Sequence, residues 1–112
     1  MSVINLSEGA FDKVVSRPGI VLVDFWAAWC RPCVGFAPVF EAAAGAHPDV
    51  LFAKVDTDAE QGLALRFDIR SIPTLMAFRD GTPVYNQAGA LRAPQLEQLI
   101  QEIKGPAVPT NA

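Results

Sequence analysis

The chain has 112 residues, of which 51% are apolar, and a formal net charge of −3. This length allows one domain with its own core, and the apolar fraction is typical of a globular protein rather than a disordered chain. The acidic balance and the scattered basic residues argue against binding to nucleic acid and against docking on an anionic membrane.

The predicted elements begin with a helix near the start of the chain. Ser7 is a good N-cap residue, and Leu6 and Phe11 stand at the positions of a hydrophobic staple. The run "IVLVDF" at 20–25 is almost wholly apolar. It predicts a strand that is covered on both faces in a parallel sheet.

The middle of the chain predicts a helix from about residue 32 to 45 and a second buried strand, "LFAKV" at 51–55. Asp58 and Gln61 resemble a capping box that opens a third helix.

The end of the chain predicts a hairpin and a last helix. Asp80 and Gly81 are the turn residues between the strands "TLMAF" and "PVYNQ". Pro83 makes the second of these an edge strand. An apolar stripe through Leu96 and Ile100 then predicts the final helix.

The order of these elements predicts an α/β fold. A βαβ unit followed by an antiparallel hairpin requires a mixed central sheet, with helices on both faces. We expect one domain over residues 1–105 and a flexible C-terminal tail over residues 106–112, which is rich in proline and has no periodic apolar face.

The two cysteines, Cys30 and Cys33, are separated by two residues. A zinc site needs four ligands, and the remaining candidate in the chain is His47, which we expect to be a solvated loop residue. Two chains pooling their cysteines around one metal, a Cys–His nucleophile and two inert buried thiols stay open as alternatives.

A redox pair accounts for the surroundings of the cysteines better than these alternatives. Cys30 falls just before a predicted helix, where free N–H groups and the helix dipole stabilise a thiolate. Thiolates attack disulfides, and Cys33 lies one turn along, within reach of a mixed disulfide on Cys30. Pro32 fixes the first helical turn.

The segments "VDFWAAWCRPC", "AKVD", "IRSIPT" and "GAL" together resemble the thioredoxin family, in its small bacterial form, over nearly the whole chain. This resemblance implies a thioredoxin fold and the reduction of disulfides in client proteins. The reaction would pass through a mixed disulfide on Cys30 that Cys33 resolves. It also implies that no cofactor is bound, and that electrons come from NADPH through a flavoprotein, thioredoxin reductase.

The resemblance assigns roles to two charged residues in the predicted strands. Asp24 matches the carboxyl group that transfers the proton of the resolving thiol, and Lys54 matches the lysine that tunes this group. Burial should raise the pKa of Asp24. Without the resemblance, Asp24 is a core carboxylate satisfied by backbone donors, and Lys54 is a side chain that reaches from its strand to solvent.

The resemblance also implies a surface that binds substrate. Pro73 matches a cis proline, which would bring the backbone of Ile72 beside Cys30 to pair with an extended client segment. Trp29 matches an exposed indole beside the site, and Gly89 matches a glycine that forms another wall of the groove. An ordinary trans turn at Pro73 and a plain turn glycine at Gly89 are the alternatives; Trp26 is expected in the core.

Three positions depart from the usual pattern of the family: Arg31 and Ser71 replace glycines, and Val34 replaces a lysine. The Arg31 guanidinium should favour the Cys30 thiolate and make the disulfide somewhat more oxidising. Two alternative functions stay open: a thiol oxidant or isomerase with a raised potential, which Arg31 suggests, and a module of the same fold that only binds a partner.

The first residues, "MSVINLSEGAFDKVV", lack the basic and apolar regions of a secretory signal, and no stretch of the sequence has the length and apolarity of a membrane span. We therefore expect a cytoplasmic protein without membrane contact. We also expect a monomer.

Overall fold

The computed structural model describes residues 3–106, which contain five strands and four helices. In chain order these are β1 (Val3–Asn5), α1 (Glu8–Val15), β2 (Ile20–Trp26), α2 (Arg31–Ala46), β3 (Leu51–Asp56), α3 (Gln61–Arg66), β4 (Thr74–Arg79), β5 (Thr82–Ala88) and α4 (Ala93–Lys104). Every predicted helix and strand is present, and β1 is an addition. The predicted tail lies outside the described residues apart from Pro106.

The five strands form one mixed sheet in the order β1-β3-β2-β4-β5. β3 runs parallel to both β1 and β2, whereas β4 runs antiparallel to β2 and to β5. This topology confirms the predicted βαβ unit, β2–α2–β3, and the predicted hairpin, β4–β5. It also places the carboxyl ends of β1, β3 and β2 side by side at one edge of the sheet.

The sheet separates two hydrophobic cores. Side chains along β2 point alternately to the two faces of the sheet and so contribute to both cores. Val21, Val23 and Phe25 pack on one face with residues of α1 and α3. Leu22 packs on the other face with residues of α2 and α4, and alternation puts Asp24 on this second face. The predicted arrangement, with helices on both faces, is therefore confirmed.

The starts of α1 and α3 differ from the predicted caps. Ser7 occupies the N-cap position of α1 without a side-chain hydrogen bond, and Glu60 accepts the Glu8 N–H instead, at 2.8 Å. The predicted capping box is wrong, because α3 begins after Glu60 and the Gln61 amide donates to the Asp58 carbonyl. A tertiary contact with Glu60, in the loop before α3, replaces the local cap of α1.

The prediction that His47 is a solvated loop residue is also wrong. Its side chain is buried at the end of α2, where Nε2 lies 2.7 Å from a Glu97 carboxylate oxygen and Nδ1 lies 2.7 Å from Lys104 Nζ. Both partners belong to α4, which is remote in sequence and packs beside α2.

Within residues 3–106, no helix has the length and apolarity needed to cross a membrane.

Candidate active site

The loop between β2 and α2 carries both cysteines at the carboxyl edge of the sheet. Cys30 is the N-cap residue of α2, with extended backbone angles, and the Cys33 N–H donates to its Sγ at 3.2 Å. Pro32 stands in the first turn, where its missing N–H costs no helical hydrogen bond. The free N–H groups at this helix end favour negative charge on Cys30 Sγ.

Cys30 and Cys33 form a disulfide, with their Cα atoms 5.2 Å apart. Both are nearly buried, Cys30 at 5% exposure and Cys33 at 1%, so the first cysteine is the more accessible of the two. No group of three or more His, Cys, Asp or Glu side chains suited to a metal occurs between residues 3 and 106.

The segment before β4 closes one side of the cysteine pair. The Ile72–Pro73 peptide bond is cis, and the Ile72 carbonyl oxygen lies 3.6 Å from Cys30 Sγ. Gly89 donates its N–H to the Pro73 carbonyl at 2.8 Å and has a φ of 112°, which disfavours any residue with a side chain. Ile72 thus lies beside Cys30, and Gly89 is joined to the neighbouring Pro73.

Trp29 lies on the protein surface next to Cys30 and is 70% exposed. Its indole N–H donates to an Asp58 carboxylate oxygen at 2.9 Å. The contact with Asp58 was not predicted from the sequence, because the pattern around this residue resembled a helix cap. The available signal was its position just after β3, at the edge where the parallel strands end.

Asp24 lies in β2 with no exposed surface, and neither carboxylate oxygen has a hydrogen-bond partner within the described chain. Burial raises the pKa of Asp24 to about 7, although the positive charge of Lys54 opposes this shift. Lys54 is the register partner of Asp24 on β3. Its Nζ lies 4.2 Å from the centre of the Trp26 ring.

Comparison with known proteins identifies the family. The thioredoxin family model matches residues 2–102. A thioredoxin 2 of Streptomyces coelicolor is 47% identical over 92% of this chain and 77% of its own length. A thioredoxin of Staphylococcus haemolyticus is 37% identical over 91% of this chain and 98% of its own length. The chain belongs to the thioredoxin family.

A solved structure agrees with this assignment. A single-residue mutant of thioredoxin from Halobacterium salinarum superposes with a TM-score of 0.87 at 33% identity, and the match covers 96% of this chain and 95% of that one. The chain is a member of the thioredoxin family and carries the Cys30–Cys33 disulfide. It is therefore a thiol–disulfide oxidoreductase that reduces protein disulfides.

The three departures from the usual thioredoxin pattern all lie at the surface. Arg31, Val34 and Ser71 are exposed, and Val34 is 56% exposed. Trp29 and Val34 are among the large exposed apolar side chains within residues 3–106, and half-buried Ile72 packs against the cysteines. We define Trp29, Val34, Ile72 and Gly89 as the docking patch.

Proposed function

We propose that the protein reduces disulfides in extended segments of client proteins, with Cys30 as the attacking nucleophile and Cys33 as the resolving thiol. The observation that carries this assignment is the position of Cys30 Sγ at the start of α2, where it accepts the Cys33 N–H at 3.2 Å. In the reduced protein the same donor and the helix dipole stabilise a Cys30 thiolate. The greater exposure of Cys30 supports the same order.

Asp24 is proposed as the proton acceptor for Cys33. The thiolate of Cys30 attacks a client sulfur and releases the other client sulfur as a thiolate. Cys33 then gives its proton to the Asp24 carboxylate and attacks Cys30 Sγ, and the second client sulfur leaves as a thiolate. A pKa of about 7 suits this exchange, because the carboxyl group is then poised between its two protonation states near neutral pH. The positive charge of Lys54 lowers the pKa of Asp24 and so keeps a fraction of the Asp24 carboxyl groups ionised.

The docking patch is proposed as the surface that receives the client. The Ile72 backbone lies beside Cys30 and can pair with an extended segment as a strand does, while Trp29 and Val34 supply exposed apolar contact. The Asp58 carboxylate holds the Trp29 indole at the rim of this surface. Gly89 keeps the opposite wall free of a side chain.

Arg31 is proposed to raise the reduction potential modestly and to favour clients with acidic residues near the disulfide. Its guanidinium belongs to the residue next to Cys30 and is exposed, so solvent and salt screen its effect on the thiolate. Arg31 therefore makes the protein a slightly weaker reductant, and the protein still reduces the disulfides of its clients.

Re-reduction is proposed to come from a thioredoxin reductase, a flavoprotein that draws its electrons from NADPH. Such a cycle requires a reducing compartment, and the cytoplasm provides one. Membership of the thioredoxin family supports both the reductase and the clients as partners.

Trapping of a mixed disulfide tests the order of the two cysteines. Cys33→Ser should hold a model disulfide substrate covalently on Cys30, because the resolving attack is removed. Cys30→Ser should trap almost none, because Cys33 is buried at 1% exposure. Intact-mass analysis after non-reducing separation measures both. Efficient trapping by Cys30→Ser would reverse the assignment.

A further inference from the structure

Asp24 has no protein hydrogen-bond partner in the described part of the chain, yet the proposed cycle requires it to gain and lose one proton each turnover. A docked client covers the patch over the cysteines and closes that side to water. The proton therefore needs a path that stays open while the client is bound.

A cleft of about 350 Å³ opens elsewhere, where β1 and β3 end and the chain turns into α3. Its walls include Asn5, Ser7, Trp26, Lys54, Ala59 and Glu60. None of these residues belongs to the docking patch. The cleft is large enough to hold several water molecules, and Asn5, Ser7, Lys54 and Glu60 supply polar groups along its walls.

Two walls of the cleft connect it to Asp24. Lys54 is the register partner of Asp24 in the adjacent strand, and Trp26 lies two residues after Asp24 on the same face of β2. The Lys54 ammonium lies against the Trp26 ring, at 4.2 Å from its centre. Trp26 Nε1 is buried without a hydrogen-bond partner among the described residues, so its donor is unused.

We propose that this cleft is the proton route of Asp24, in which water beside Lys54 and Trp26 exchanges the carboxyl proton with solvent while a client covers the cysteines. The inference rests on the proposed function. Asp24 receives the proton of the Cys33 thiol, the Cys33–Cys30 bond forms as the Cys30–client bond breaks, and the client leaves as a thiolate. The Asp24 proton then passes to the water of the cleft, and the carboxylate is restored.

Filling the cleft tests the route. Ala59→Leu places a larger side chain in the cleft from an exposed position, and Ser7→Leu does so from the opposite wall. Ala64→Leu is the matched control, because Ala64 lines a different cavity beside α3. The measured quantity is the exchange rate between the two protonation states of Asp24, from relaxation dispersion of its labelled carboxyl carbon near pH 7.

Each filling variant should slow this exchange by about tenfold or more, since efficient proton transfer needs a donor or one bridging water within hydrogen-bond reach. Ala64→Leu should exchange at the wild-type rate. Folded Ala59→Leu and Ser7→Leu proteins that both exchange at the wild-type rate would overturn the route.

A trapped client provides the second measurement. In Cys33→Ser carrying a peptide on Cys30, exchange at Asp24 should continue, and Ala59→Leu added to this complex should slow it. Exchange that stops when the peptide docks would overturn the inference and place the path on the cysteine side, with the proposed function intact. An Asp24 that does not titrate near neutral pH would overturn both the route and the proton step of the proposed function.

Discussion

Asp24 and His47 are both buried ionisable residues, but their surroundings are opposite. Asp24 lies in β2, the strand that leads into the cysteine loop, with no hydrogen-bond partner for either oxygen within the described residues. His47 lies at the far end of α2 with a partner on each ring nitrogen. Because the Lys104 ammonium can only donate, His47 Nδ1 accepts from it and Nε2–H donates to Glu97.

The contrast distinguishes a buried carboxyl group without hydrogen-bond partners from a buried imidazole with a partner on each nitrogen. An unpartnered buried carboxyl group costs stability when it ionises and keeps a pKa near the working pH. A histidine satisfied on both nitrogens links α2 to α4 and leaves no group free for chemistry. The cysteine end of α2 is therefore built for reactivity, and the other end is built for stability.

The largest expected effect is on the stability of the oxidised protein when Asp24 is neutralised. A pKa of about 7, against an ordinary value of 3.8, means that ionisation of Asp24 costs the fold roughly 4 kcal/mol. Below pH 3.8 the carboxyl group is protonated in both the folded and the unfolded protein, and the stability of the fold falls as the pH rises from about 4 to about 7, where the folded protein also ionises. Asp24→Asn should therefore unfold at higher urea concentration than wild type at pH 8.5, and at a similar concentration at pH 4.

The second measurement on Asp24→Asn is its activity. The Asn side chain cannot accept the proton of the Cys33 thiol. Reduction of a model disulfide at pH 7 should slow by about a hundredfold at the resolving step. A stability difference that is equal at both pH values would show that Asp24 is already satisfied, and the contrast with His47 would fail.

His47→Ala should have the reverse pattern, with lower stability and unchanged disulfide reduction. Loss of two partly buried hydrogen bonds should cost about 2 kcal/mol in the free energy of unfolding at pH 7. The hydrogen bond from His47 holds the pKa of Glu97 below its usual range, so this pKa should rise in the variant.

Asp49→Ala is the control for His47, since it removes the exposed ion pair between Asp49 and the same lysine, Lys104. Its cost should stay below about 1 kcal/mol. Equal losses of stability in the two variants would mean that His47 contributes no more than a surface contact.

The smallest expected effect concerns Arg31, an exposed charge beside the reactive end. Arg31→Gly should lower the reduction potential by about 10 to 30 mV, because the Cys30 thiolate loses a screened positive neighbour. Arg31→Lys keeps the charge and should retain the wild-type value. An unchanged potential in Arg31→Gly would make this residue a neutral surface substitution.

The sequence was sufficient for features that depend on local pattern. Periodicity or turn chemistry specifies three elements of the fold: the apolar run of β2, the turn at Asp80 and Gly81, and the apolar stripe of α4. The spacing of Cys30 and Cys33 at a helix start pointed to redox chemistry, and the family assignment agrees with it.

Features that depend on distant contacts were not predictable in the same way. Strand β1 has three residues and is defined by its pairing with β3. His47 owes its burial to α4, and Asp58 meets Trp29 across a separation of 29 residues. In each case the partner is chosen by tertiary packing, which local sequence signals do not encode.

The reduction potential of the Cys30–Cys33 pair, measured at equilibrium against a defined glutathione buffer at pH 7, tests the central claim most directly. We expect a value near about −270 mV, typical of a thioredoxin that reduces its clients, and raised only slightly by Arg31. A value near or above roughly −180 mV, as in disulfide isomerases and oxidants, would contradict it.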